Sequence, residues 1–254
     1  MTRLPPFRAF ALALVASCAA TACSDQPAGK TEVTDLDKAT TASEREAASE
    51  ALQAADFADL QLGPKIVGPA GPQVEAKLSN EVGNFADMRS YVACPAGMQA
   101  CDPKTAPAGT VYTYVYVVYP GEDNNASVGS GKGNDASDVE RATMFRMTRP
   151  ANGFTGTAGY SKGEAMAAVG QKVDVVMSCV DGALAWTISA GDGGDQWEQA
   201  EPITFWWQST LPPAGPTDAF EIAVDGTTAH GLGPWPAAAK DAGDACLPDP
   251  AKAG

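Results

Sequence analysis

The sequence predicts a mainly β protein: an immunoglobulin-like antiparallel β-sandwich of about seven strands, with an N-terminal helix and a short internal helix. Three observations carry that expectation. From about residue 65 the chain consists of β-branched and aromatic runs separated by Gly, Pro, Asn and Asp. Seven runs have strand length, near 88–93, 110–119, 142–149, 172–179, 183–190, 203–210 and 219–224. Two of them flank Asp181-Gly182, a dipeptide suited to a two-residue type I′ turn because both positions tolerate positive φ. Short strands with long Gly/Pro connections fit a sandwich, with a barrel or jelly roll as the alternatives.

The hairpin fixes its own register. If Val180 faces Ala183, then Cys179 faces Leu184, Met177 faces Trp186 and Val175 faces Ile188, so six apolar residues share one face. Lys172, Asp174 and Ser178 fall on the other. The run Val111 to Tyr119 is apolar on both sides, with Tyr112, Tyr114 and Tyr116 on one, which predicts a central strand. Ile203, Phe205 and Trp207 share a face, leaving Trp206 opposite with Thr204 and Gln208.

Two capping boxes predict the helices. Ser43-Glu44-Arg45-Glu46 opens an alanine-rich periodic stretch that runs through residue 62 and stops at Gly63-Pro64. Its alanine face buries little area, so the expectation for 43–62 is a stalk or a lightly packed lid. Ser161-Lys162-Gly163-Glu164 opens a shorter helix through Val169 that stops at Gly170.

Ahead of these elements lies a leader. Arg3 and Arg8 precede the apolar run Ala9 to Ala16, and Ala20-Thr21-Ala22 precedes Cys23. This segment resembles the signal peptide and lipobox of bacterial lipoprotein precursors, in which the cysteine after the cut receives lipid. The resemblance covers the leader alone. It implies a signal peptide over 1–22, lipidation at Cys23 with palmitate-type acyl chains, and a membrane anchor. Val15-Ala16-Ser17-Cys18 is a second candidate lipobox, and an ordinary secretory cut after Ala22 is a third reading. Cysteine parity favours Cys23, because cleavage there leaves Cys94, Cys101, Cys179 and Cys246 as an even set in an oxidising compartment. Ser24 stands where inner-membrane lipoproteins often carry aspartate, so the resemblance implies a periplasmic or surface-facing protein of the cell outer membrane. Residues 23–42 are polar and aperiodic and read as a tether, leaving 63–254 for the β domain.

Composition excludes some partners. The formal net charge is −14, with no basic run, which argues against a nucleic-acid partner. The four mature cysteines allow three pairings. Cys94 with Cys101 and Cys179 with Cys246 is the preferred set, as structural staples. No spacing suits redox or zinc chemistry, and no cofactor is implied.

The candidate chemistry is sparse. Gly159-Tyr160-Ser161-Lys162-Gly163 matches the G-x-S-x-G turn of serine hydrolases, with His230 downstream and Asp192, Asp195 and Asp218 between. The helix cap explains the same residues, and the βα alternation of a hydrolase sheet is absent. His230, the single histidine, sits among glycines and reads as a loop residue. Asp123, Asp135 and Asp138 lie in an oxygen-rich stretch and are weak calcium candidates, without EF-hand spacing. Trp197, Trp206 and Trp235 fall near strand ends or on minority faces, where exposed indoles would stack on an envelope glycan or a protein partner. The function expected is therefore non-catalytic binding or a structural role at the envelope, with a serine hydrolase using Ser161 and His230 as the alternative.

Overall fold

The computed structural model describes residues 52–66, 73–121, 139–237 and 245–246. Cys18, Cys23, the expected signal peptide and tether, and the three calcium candidates Asp123, Asp135 and Asp138 lie outside the described residues. The fold is mainly β, with twelve strands in one hydrogen-bonded sheet.

The N-terminal strands are β1 (Ala55–Asp56), β2 (Leu62–Lys65), β3 (Val74–Ser79), β4 (Asn84–Pro95) and β5 (Tyr112–Pro120). The middle of the chain forms β6 (Ala142–Met147), β7 (Phe154–Tyr160), helix α1 (Lys162–Val169), β8 (Asp174–Val180) and β9 (Ala183–Ser189). The last strands are β10 (Ile203–Ser209), β11 (Pro213–Val224) and β12 (Thr227–Pro236). Their order across the sheet is β1-β7-β10-β5-β4-β3-β12-β11-β6-β9-β8, with β2 also pairing β4.

The sheet curls until its inner face packs on itself. Strands β6 and β10 are far apart in the order, yet Phe145 and Phe205 stack with centroids 5.0 Å apart. Tyr116 on β5 lies 4.5 Å from Phe220 on β11, and Trp207 on β10 lies 6.0 Å from Trp235 on β12. These rings, with Trp186 and Tyr114, fill the interior, and all except Trp235 are fully buried. Aromatic pairs at such spacings contribute about 1 kcal/mol each beyond the area they bury.

Every strand predicted from sequence is present, and the hairpin register is the predicted one: Val180↔Ala183, Cys179↔Leu184, Met177↔Trp186 and Val175↔Ile188. Asp181 (φ 51°) and Gly182 (φ 78°) supply the two positive φ angles the turn requires. Both expected disulfides are formed, Cys94–Cys101 and Cys179–Cys246. The second closes 67 residues against 7 for the first. In the chain-entropy treatment they contribute about 4 and about 2.5 kcal/mol.

Three expectations are corrected. The strand count rises from about seven to twelve, in one continuous path rather than two separate immunoglobulin-type sheets. The added strands, β1, β2, β3, β7 and β12, are short, charged or rich in Gly and Pro, so they lack the apolar alternation that marks the others. His230 lies within β12, opposite Glu221, and not in a loop.

The third correction concerns the N-terminal helix predicted over 43–62. Its described part, from Leu52, is a strap instead: an isolated bridge, β1, a 3₁₀ turn at Phe57–Asp59, and then β2. Tertiary hydrogen bonding overrides the helical spacing of small alanines. The Leu52 N–H donates to the Met177 carbonyl of β8 (3.0 Å), while Ala55 and Asp56 pair with β7. One segment thus pairs with β7 near one end of the curled sheet and bridges to β8 at the other. The Ile66 N–H then donates to the Val92 carbonyl on β4 (2.8 Å).

Candidate functional site

Gly159, Ser161 and Glu164 have structural assignments that leave little of the hydrolase signature over. Gly159 faces the strap so closely that an added Cβ would collide with the Ala55 carbonyl oxygen, which explains why a glycine stands there. Ser161 is the N-cap of α1, and its hydroxyl oxygen accepts from the Glu164 N–H (3.3 Å). The reciprocal half of the capping box is redirected. Glu164 accepts from the Thr204 N–H on β10 (2.7 Å), so its carboxylate ties helix to sheet. Asp56 of the strap accepts from the Lys162 N–H (3.2 Å), placing a second carboxylate at the helix start, where the dipole favours it.

His230 has different company. Its Nε2 lies 3.4 Å from Glu221, and the same carboxylate accepts from Arg146 Nε at 2.7 Å. Glu221 is only 4% exposed although it points away from the aromatic interior, because Arg146 and His230 flank it from the neighbouring strands. Ser161, just after β7, and His230, on β12, are therefore each held by other groups, and β7 and β12 are not neighbours in the sheet. None of Asp192, Asp195 and Asp218 pairs with His230; its carboxylate partner is Glu221.

The three indoles expected to be exposed are all buried: Trp197 is 1% exposed, Trp206 0% and Trp235 6%. Trp197 donates its Nε1–H to the Glu201 carbonyl (2.7 Å) and meets Phe205 edge-on. Trp235 packs against Trp207 and Phe220 in the interior. Trp206 does point opposite to Trp207, as its strand position dictates. It is nevertheless covered, on a strand against which the 3₁₀ turn and α1 both pack. None of the three offers a free ring for stacking.

Titration shifts also trace burial. Desolvation pushes the Tyr114 phenol well above its ordinary value, reinforced by Tyr116 and Tyr112 nearby. Tyr116 is raised by burial too, although the hydrogen bond it accepts from Trp207 Nε1 (3.2 Å) works the other way. Its own hydroxyl donates to the Pro234 carbonyl (3.2 Å). Glu201, near Glu198 and Asp195, is raised first by desolvation, against the lowering effect of a backbone hydrogen bond from Glu198. None of these groups lies beside Ser161 or His230 in a way that would activate them. Among the described residues there is no group of three or more His, Cys, Asp or Glu side chains arranged to hold a metal ion.

One concavity of the outer face combines two arginines with small and apolar residues. A groove of about 340 Å³ crosses β8, β9 and β6, its lining including Met144, Arg146, Arg149, Ser178, Val180, Ala185 and Thr187. It was not legible in the sequence as a site, since it is the polar side of strands whose apolar side gave the stronger pattern. The signal available was the pair Arg146 and Arg149, closely spaced in a chain of net charge −14. No known protein family, curated protein or solved structure matches the chain.

Proposed function

We propose that the chain is a lipid-anchored cell-envelope protein whose disulfide-stapled β domain works without catalysis, by binding or as a structural component. The leader supports the anchor: a basic start, a short apolar run and small residues before Cys23. Acyl chains contribute about 0.8 kcal/mol per buried methylene, so several chains on one cysteine hold a domain at the membrane. The absence of aspartate after Cys23 favours the outer membrane. We read the curled sheet as sandwich-like, with its two facing halves as the layers.

One observation carries the non-catalytic reading: the commitment of Ser161. A serine nucleophile needs its hydroxyl hydrogen-bonded to a general base. Here no hydrogen bond joins Ser161 to the chain's single histidine: the serine caps α1 at the end of β7, and His230 lies beside Glu221 on β12, with four strands between β7 and β12 in the sheet order.

Two measurements test the proposal. Mass spectrometry of the protein extracted from membranes is expected to find an acylated Cys23 as the first residue; a free Cys23 or an acylated Cys18 overturns the anchor. A fluorophosphonate probe is expected to leave the protein unlabelled. Labelling that disappears in Ser161→Ala would restore the serine hydrolase alternative.

A further inference from the structure

We propose that the groove across β8, β9 and β6 binds an extended peptide that carries carboxylate side chains between small apolar ones. This deepens the binding part of the function above and is independent of the lipid anchor.

The argument begins with how the two arginines are held. Arg146 donates through Nε to Glu221, and Arg149 donates through Nε to the Asp218 carbonyl (3.0 Å). Among the described residues neither makes a further polar contact, so both guanidinium groups keep their terminal N–H groups free. A guanidinium fixed at Nε presents a planar fork, the geometry that grips a carboxylate with two parallel hydrogen bonds. Both residues line the same groove. Arg146 is fixed by a buried carboxylate, so its direction is set before any ligand arrives.

The shape of the groove points to an extended chain. Its lining comes from alternate positions on three strands, including Ser178 and Val180 on β8, Ala185 and Thr187 on β9, and Met144 and Arg146 on β6. Each strand thus contributes lining residues two positions apart, about 7 Å along the strand. In an extended peptide, side chains two positions apart stand about 7 Å from each other on one face. Arg146 and Arg149 are three residues apart, at most about 10 Å of chain, a span that two long carboxylate side chains of such a peptide can reach. The small side chains of Ala183 and Ala185 in the lining leave room for a backbone, Ser178 and Thr187 supply hydroxyls for it, and Met144 and Val180 supply apolar contact. Val180 is 41% exposed, so covering it would be favourable. Asp181 is the one carboxylate in the lining. It disfavours a uniformly anionic polymer, which is why the occupant is a mixed acidic and apolar peptide and not a polyphosphate or an anionic lipid surface.

The test uses the mature protein and an acetylated, amidated pentapeptide alternating alanine and glutamate, with its glutamine counterpart as control. Titration followed by amide chemical shifts is expected to move signals of β6, β8 and β9 with the glutamate peptide only. Arg149→Gln is expected to weaken binding by roughly tenfold. Arg149 is the better target because truncating Arg146 would strand the buried Glu221 and risk the fold; Arg146→Lys keeps the charge, removes the fork and should also weaken binding. Any of four results overturns the proposal: no shifts in those strands, equal binding of the glutamine peptide, undiminished binding by a folded Arg149→Gln, or shifts produced equally by inorganic phosphate or by phosphatidylglycerol vesicles. None of these bears on Cys23 acylation or on Ser161 labelling, so failure here is distinguishable from failure of the anchor or of the non-catalytic reading.

Discussion

Trp206 and Trp207 are adjacent on β10, both fully buried, and held by different physics. Trp207 faces the aromatic interior: it stacks on Tyr114 at 4.9 Å, approaches Phe154 and Trp235, and donates its indole N–H to Tyr116. Trp206 faces outward, and its buried N–H has no hydrogen-bond partner. The inner face is closed by the curl of the sheet, which many strands impose together. The outer patch is on a strand covered by the strap and α1, and the strap is anchored by few hydrogen bonds. Burial alone therefore says little about how firmly a residue is held. An environment built by many strands is over-determined, whereas one built by a single crossing segment depends on each contact that segment makes.

Four substitutions break or sharpen this contrast. The largest effect is expected at Phe145, which stacks on Phe205 and Phe220 and lies within 6.0 Å of Tyr116 and Trp186. Phe145→Ala should lower stability by about 4 kcal/mol in denaturant unfolding, because the surrounding rings cannot collapse into the void. A loss under about 1 kcal/mol would mean that the interior is far looser than these contacts imply.

Next comes the strap. Gly159→Ala pushes a methyl group into the Ala55 backbone, which cannot rotate away as a side chain could. The expected cost is about 2 kcal/mol. It should appear chiefly as faster hydrogen exchange at the Leu52 and Ile66 amides, with the amides of β6 and β11 little changed. Equal acceleration throughout would show that the strap and the interior form one cooperative unit.

The smallest effect separates the two indoles. Trp206→Phe removes a buried donor that bonds nothing, so the lost ring area is partly offset by relief of the unsatisfied N–H. The net change should stay within about 1 kcal/mol. Trp207→Phe deletes the donor to Tyr116 and should be the more destabilising of the pair. If thermal unfolding ranks the two in the opposite order, the outer patch is the better-packed region.

How much was legible in the sequence follows from which forces act locally. The β8–β9 hairpin was readable residue by residue because turn chemistry and alternation are short-range, and both pointed to one register. The Ser161 cap and Gly170 stop were readable for the same reason. Trp206 shows the limit. Alternation placed it correctly on the face opposite Trp207, but exposure depends on what crosses that face, and the crossing segment comes from about 150 positions earlier in the chain. His230 shows a related limit: its glycine neighbours suggested a loop, whereas pairing with Glu221 on β11 and contact with Ser79 on β3 made it part of a strand. The groove was hidden because its walls come from two separate stretches, 144–149 and 178–187.

By itself, then, the sequence determined the β class, the seven strongest strands and the internal helix, since alternation, turn residues and caps act over a few positions, while the choice among three disulfide pairings waited on the fold. Only the tertiary structure decided the number of strands in the sheet, the strap in place of a helix from Leu52, the burial of the three indoles and the meeting of Arg146 with Glu221 and His230. Those outcomes rest on pairings between distant segments. Weak strands such as β3 and β7 gain their hydrogen bonds from the strongly patterned β4 and β10, so their own side chains need carry little of the signal.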